Sequence, residues 1–273
     1  GRLVWLTSAV GLIAVTVTAL AMRGIEARAS LADAEAPPRD AGADRRDFMA
    51  ALREVLSEPT TRRFSVFVFI SMLAYSAQDL LLEPFAGAIF GLTPGESTQL
   101  GGLQHSGVLL GMLLVGVIGS GLAKGRHDVL RRCMMIGCMA SAVVLGALSL
   151  GAFAGPTWPL RPVVFALGLA NGTFAVAAIG CMMSLVSSGH KQRDGVRMGV
   201  WGAAQAIAFG LGGIIGTGII DVMRFLLGSV QLAYATAFAA QAICFVAASL
   251  LALSLSATAA RRVISLRGDE LAT

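Results

Sequence analysis

The chain has 273 residues, of which 56% are hydrophobic and 14% are charged, and its mean hydropathy is +0.75. This composition excludes an ordinary soluble domain and predicts a protein embedded in a lipid bilayer. The formal net charge of +5 does not indicate nucleic acid binding, because the basic residues neither form one block nor alternate with aromatic residues.

Charged residues and turns divide the chain into seven apolar runs, each long enough to cross a bilayer as a helix. The runs cover residues 3–22, 64–90, 101–123, 130–153, 162–187, 198–220 and 230–257. The turn-forming segments Gly91–Gly95 and Gly155–Pro159 separate two pairs of runs. We therefore expect an all-α membrane protein with seven transmembrane helices.

The division into runs also predicts the domain organisation. Residue 1 is Gly and the first run begins at once, without the features of a signal peptide. We expect a fragment of a larger protein, in which helix 1–22 ends the first half and residues 64–257 form a six-helix bundle, the second half. Residues 23–63 carry eight acidic and eight basic residues, which predicts a cytoplasmic linker.

The end of this linker has a different pattern. Apolar residues recur at helical spacing, which predicts an amphipathic helix near 47–57 that lies along the membrane surface. At the other end of the chain we expect residues 258–273 to form a cytoplasmic tail.

Basic residues predict the orientation in the membrane. Alternation of seven spans leaves only Arg2, Arg161 and Arg224 on one side, so the opposite side, which includes the C-terminus, is expected to be cytoplasmic. The tryptophans lie close to predicted span ends, where we expect them in the headgroup layer. They are Trp5, Trp158 and Trp201.

Few ionisable groups interrupt the apolar runs, and those that do are candidate functional residues because lipid does not solvate charge. Asp79 and Glu83 stand four residues apart, which places both carboxyl groups on one helical face, with Gln78 beside them. The pair suits either proton transfer or hydrogen bonding to a ligand. Alternatively, Pro84 ends the helix and Glu83 only reaches the outer interface.

Three further polar residues are candidates for binding a pigment or a substrate. Gln104 and His105 open the third run. The histidine has three possible roles, namely to coordinate the magnesium of a chlorin, to exchange a proton, or to hydrogen-bond across helices, which is the default for a membrane histidine. Asn171 falls at mid-membrane, where an amide usually joins helices.

Glycines four residues apart predict close approach of helix backbones. The pairs are Gly107 and Gly111, Gly168 and Gly172, Gly195 and Gly199, and Gly212 and Gly216. No zinc-type Cys/His spacing, nucleotide-binding loop, serine triad or aspartate-rich diphosphate site is present in the sequence. We expect no metal site and no enzymatic activity.

Two sequence features carry a resemblance to a known family. The segment Gly121–Arg132 is similar to the loop that the major facilitator superfamily places between the second and third helices of each half; Gly121 and Arg126 match, but Gly125 stands where that loop has an acid. More specific are Pro59–Leu80, Leu82–Gly87 and Thr93–Thr98, which look like the PucC/LhaA group, the bacteriochlorophyll-delivery branch of that superfamily in purple phototrophic bacteria. The resemblance spans residues 1 to about 257.

The resemblance implies a twelve-helix fold, of which this chain would supply the sixth to the twelfth helix. It also implies a factor in the bacterial inner (intracytoplasmic) membrane that assists assembly of light-harvesting complexes, with no covalent cofactor and with bacteriochlorophyll as cargo. The implied partners are antenna polypeptides, pigment-synthesis enzymes, the lipid bilayer and the missing N-terminal half.

Three functions remain open on the sequence. The first is a pigment-handling assembly factor, in which Asp79, Glu83 and His105 contact a chlorin. The second is a proton-coupled secondary transporter of a small solute, in which the same acids carry the proton. The third is a membrane scaffold without a ligand.

Overall fold

The computed structural model describes residues 5, 8–9, 11–20, 49–50, 52–121, 126–187 and 194–270, and for residues 120–121, 126–127, 186–187, 194 and 255–270 it describes the backbone alone. The chain divides into two compact units, Gly1–Ala50 and Ala51–Thr273. In the first unit, Gly11–Leu20 forms an apolar helix. This stretch is shorter than a membrane span. The transmembrane helix predicted at 3–22, which would bring the number of spans to seven, therefore stays a prediction.

Six long helices form the described part of the second unit, and each is long and apolar enough to cross a bilayer. In chain order they are α1 (Pro59–Phe90), α2 (Pro94–Gly121), α3 (Arg126–Ala154), α4 (Leu160–Ser187), α5 (Asp194–Leu227) and α6 (Val230–Glu270). Each of the last six predicted runs falls on one of these helices. The six-span expectation for this part of the chain is therefore confirmed.

Five of the six helices begin before the predicted apolar runs, and α1 and α2 do so by the most residues. At the start of α1, Pro59 occupies the first turn, where its missing N–H costs nothing. At the start of α2, Thr93 and Glu96 form a capping box, in which the Thr93 N–H donates to Glu96 Oε2 at 2.9 Å. The turn predicted over Gly91–Gly95 is therefore shorter in the structure, because Pro94 and Gly95 already belong to α2.

Glycine allows α2 and α4 to pack backbone against backbone. A Cβ added at Gly107 or Gly111 would collide with a backbone oxygen of α4, and one added at Gly168 or Gly172 would collide with a backbone oxygen of α2. The two predicted glycine pairs therefore face each other across one helix contact. The hydrophobic effect does not drive helix association in lipid, so close van der Waals packing of this kind holds the helices together instead.

Glycine also brings α5 against α1. A Cβ at Gly212 would lie 2.6 Å from Leu73 O, and one at Gly216 would lie 2.9 Å from the Cβ of Ala77. The prediction for this pair is confirmed. The prediction of a close helix contact is wrong for Gly195 and Gly199. Among the described residues, a Cβ added at either glycine would meet nothing within 4 Å.

The six helices differ in how far the chain itself covers them. In their most apolar stretches, 50% of the residues of α1 and α4 are buried, against 22% in α2 and α5. The core contains Phe85, which packs on Phe238 with ring centroids 4.8 Å apart, and Phe174, which packs on Phe245 at 5.4 Å. The outward faces of α2 and α5 remain open to lipid or to a partner.

One tryptophan differs from the sequence expectation. Trp201 does lie near the end of a span, but its side chain is only 2% exposed and packs on Phe64 at 5.0 Å instead of lying in the headgroup layer. In the predicted amphipathic segment 47–57, the described residues are helical and Val55 is buried. The assignment of segment 47–57 to the membrane surface, of 23–63 to a cytoplasmic linker and of 258–273 to a cytoplasmic tail stays a prediction.

Candidate functional site

Adjacent residues of α1 face opposite environments. Gln78 is fully buried, whereas Asp79 and Glu83 are exposed on the outside of the six-helix unit. Successive residues of an α-helix point about 100° apart, so one helix can present an amide inward and two carboxyl groups outward. Pro84 does not end the helix, which continues to Phe90, so the alternative that depended on an early helix end is wrong.

The buried amide belongs to a hydrogen-bond network between three helices. Asn171 Nδ2 of α4 donates to Gln78 Oε1 at 3.2 Å, and Ser141 Oγ of α3 donates to Asn171 Oδ1 at 2.9 Å. All three residues are buried. The structure thus brings two of the candidate residues together inside the bundle, where they join helices; a binding role for either stays a prediction.

Some buried amides are incompletely paired. Among the residues that the structure describes, Nε2 of Gln78, Gln104 and Gln241 has no hydrogen-bond partner. Gln104 is 2% exposed and Gln241 is 5% exposed. An unpaired buried polar group costs about 1–3 kcal/mol, so these amides are unfavourable points in the packing of α1, α2 and α6.

The two carboxyl groups lie in the C-terminal half of α1. At about 1.5 Å per residue, Asp79 stands about 22 Å and Glu83 about 29 Å from Phe64 along the axis. No described residue forms an ion pair with either carboxyl group. The backbone of α2 passes close to Glu83, because a Cβ placed on Gly101 would lie 3.4 Å from Glu83 Oε1.

His105 lies one turn beyond Gly101 on α2, and its side chain is exposed. Its Nδ1 is 2.8 Å from Gly101 O, so the hydrogen bond stays within α2 and does not cross to another helix. Because α1 and α2 run in opposite directions and Glu83 adjoins Gly101, His105 and Asp79 lie at a similar depth. Asp79 and His105 therefore lie at one level of the exposed surface, and Glu83 lies about one helical turn away on α1. We call these three residues the polar face.

The aromatic partner of Tyr75, beside the polar face, was missed by sequence reasoning. Tyr75, one turn before Asp79, packs on Phe209 of α5 with centroids 6.1 Å apart and on Phe174 at 6.4 Å. Ser76 Oγ donates to Phe209 O at 2.8 Å and holds that turn of α5 against α1. Phe209 had no sequence signal, because it stands in an apolar run like any lipid-facing residue.

A second missed feature ties α5 to the start of α1. Arg197 donates to Glu58 Oε2 at 2.9 Å, and Thr61 Oγ1 donates to the same oxygen at 2.8 Å. The guanidinium side chain is 11% exposed and the carboxylate side chain 36% exposed. These residues stand far apart in sequence, so no local spacing marks them.

The predicted loop motif lies between α2 and α3. Gly121 ends α2 and Arg126 begins α3, but the residues between them and both side chains lie outside the described part of the chain. Within the described residues, no three His, Cys, Asp or Glu side chains come together in a way that would hold a free metal ion.

A family model described as PUCC protein matches residues 1–260, nearly the whole chain. The chain belongs to the PUCC protein family. With six helices of spanning length in its described part, this PUCC family member is a multi-pass bacterial membrane protein. The resemblance inferred from Pro59–Thr98 is thereby confirmed.

Curated relatives include three proteins of Rhodobacter capsulatus. The chain is similar to the Bacteriochlorophyll synthase 44.5 kDa chain, with 45% identity over 98% of this chain and 60% of that protein. It is 32% identical to the Uncharacterized protein in puhA-bchM intergenic region, over 66% of this chain and 36% of that protein. It is 27% identical to Protein PucC, over 76% of this chain and 44% of that protein. The chain thus spans 60% or less of each relative.

Proposed function

We propose that this protein is an integral membrane factor that assists assembly of light-harvesting antenna complexes by binding or delivering bacteriochlorophyll. Support comes from membership of the PUCC family and from a relative named as a bacteriochlorophyll synthase chain. The observation that carries the proposal is the polar face, because three ionisable groups within about one helical turn in depth, on the exposed surface of spanning helices, have no described ion-pair partner.

The chemistry of the polar face suits a chlorin. Such a pigment is a flat apolar ring with a central magnesium, a few rim carbonyl groups and a long hydrocarbon tail. A protonated carboxyl group donates a hydrogen bond to a carbonyl group, and imidazole binds metals. Toward the cytoplasmic end of α2 the surface continues with exposed leucines, Leu109, Leu110 and Leu113, which provide an apolar surface for the ring or the tail.

For the whole protein we propose a major-facilitator-type fold, with α1–α6 as its second half, residues 1–22 as the last helix of its first half, and the C-terminus in the cytoplasm. Two observations support it. The contacts join α1 to α5 and α6, and α3 to α4 and α6, which encloses a single core. The few basic residues of the turns on the other side of the membrane include Arg161 and Arg224.

Pigment binding is tested by purification from cells that make bacteriochlorophyll. We expect near-infrared absorbance to travel with the solubilised protein and to fall at least severalfold in the double variant Asp79→Asn, Glu83→Gln. The matched control is Asp221→Asn, which changes an exposed carboxylate on α5. A colourless wild-type preparation from pigmented cells would contradict the proposal, and equal absorbance in all variants would exclude the polar face.

The alternatives predict different results in the same preparation. A proton-coupled transporter would show solute uptake into vesicles that stops in the carboxyl variants, and a scaffold would show neither uptake nor pigment. The proposed partners are antenna polypeptides and pigment-synthesis enzymes, which crosslinking in membranes should capture.

Despite the word synthase in the relative's name, we propose that this chain itself catalyses no reaction. Prenylation of bacteriochlorophyllide by the purified chain would refute that part of the proposal.

A further inference from the structure

We infer that His105 Nε2 is the axial ligand for the magnesium of a chlorin that lies flat on the outer face of α2. This inference rests on the proposed pigment-handling function and assigns one atom and one surface to it.

The hydrogen bond of His105 determines which ring nitrogen is available. Gly101 O can only accept a hydrogen, so Nδ1, at 2.8 Å from it, carries the proton. In the neutral imidazole the lone pair is then on Nε2. A hydrogen bond from the second nitrogen to a backbone carbonyl is also the arrangement that orients metal-binding histidines and increases their basicity.

The surroundings of His105 leave room for a large flat ring. A Cβ added at Gly102, three residues before the histidine, would meet nothing within 4 Å. Four residues after it, Leu109 is 59% exposed and offers an apolar contact. Among the described residues, a macrocycle ligated at Nε2 therefore has space along α2 at Gly102 and an apolar contact at Leu109.

The ligand count favours a chlorin over a free ion. Zinc sites in proteins use at least three side-chain ligands, and no such group exists among the described residues. One imidazole suffices when the metal is already held in the plane of a macrocycle, as in haem proteins. The Glu83 carboxyl group lies beside the backbone of Gly101, one turn before His105 on α2.

The test compares bacteriochlorophyll a with magnesium-free bacteriopheophytin a, each titrated into the detergent-solubilised chain. We expect wild type to bind the magnesium form at least about tenfold more tightly, because loss of even a supporting partner of a metal ligand costs roughly 10–100-fold. In His105→Leu this preference should disappear. In His105→Ala added imidazole should restore it, which a purely structural role would not do.

Two glycine variants separate the surface from the ligand. Gly102→Leu should weaken binding of both pigments, because the side chain occupies the space of the ring. The matched control, Gly116→Leu, changes another open glycine of α2 and should leave both affinities unchanged. Gel filtration and helical circular dichroism establish that each variant is folded.

Each outcome has a defined meaning. Equal affinity of wild type for the two pigments, or a preference that survives His105→Leu, overturns the ligand assignment while leaving pigment handling intact. Failure of wild type to bind either pigment overturns the proposed function as well. Unchanged binding of both pigments in Gly102→Leu overturns the assigned surface.

Discussion

Asn171→Ala should destabilise the bundle more than a single lost polar contact in a membrane protein normally does. The substitution removes two interhelical hydrogen bonds, one from Ser141 and one to Gln78. Such bonds contribute on average roughly 0.6 kcal/mol and at most about 1.7 kcal/mol each. It also leaves Gln78 Oε1 buried without a donor, at a cost of about 1–3 kcal/mol.

Summed, these terms predict a loss of about 2–4 kcal/mol in the free energy of unfolding. The Ser141 hydroxyl adds little, because it can turn to a backbone carbonyl of its own helix. The assay is unfolding in mixed micelles with an increasing fraction of sodium dodecyl sulfate, followed by the circular dichroism of the helices.

A matched variant and a double-mutant cycle make this prediction specific. Gln205→Ala removes an amide from the exposed face of α5 and should change stability by less than about 0.5 kcal/mol. Asn171→Ala combined with Gln78→Met should show a coupling energy of about 0.5–2 kcal/mol. If Asn171→Ala were as mild as Gln205→Ala, or the coupling were zero, the network would not be what holds α1 to α4 at this level.

Two other changes test the packing. Gly168→Leu should lower the free energy of unfolding by at least about 2 kcal/mol in the same assay. Its Cβ would overlap the backbone of α2, so the two helices would have to separate. If Gly168→Leu were as stable as Gly116→Leu, the close contact would be contradicted. Glu58→Gln should lower stability by no more than about 1 kcal/mol, since the carboxylate is 36% exposed, and the loss should shrink as salt is added. A loss that does not depend on salt would show that the pair with Arg197 acts through packing and not through charge.

The six long helices were predictable because a bilayer sets their length and composition independently of their neighbours. The sequence predicted that Gly107 and Gly168 take part in close helix contacts, since small residues mark such contacts. It did not predict that they contact each other. Gly199 has the same local spacing and packs against nothing described. The spacing of glycines along one helix shows which face lacks side chains and can approach another backbone. Which helix packs there depends on where the other helices lie.

The candidate site was harder to predict for a related reason. In a soluble helix the apolar stripe marks the buried face, but α1 is apolar on all sides, so periodicity does not tell which way Gln78 or Asp79 points. The ion pair of Glu58 with Arg197 joins residues 139 positions apart. Contacts of this kind follow from the arrangement of all the helices together and from no local pattern.

The division of polar residues on α1 indicates which groups stabilise the bundle and which serve another purpose. A neutral amide can be satisfied inside by one or two hydrogen bonds, and Gln78 is placed where Asn171 supplies one. A carboxyl group is far costlier to bury, so a chain that needed only stability would have no reason to keep Asp79 and Glu83 at bilayer depth. Both are exposed on a surface that no described residue covers, where a pigment or another protein segment can reach them. The inward residue is therefore explained by the fold, whereas no packing contact among the described residues explains the outward pair.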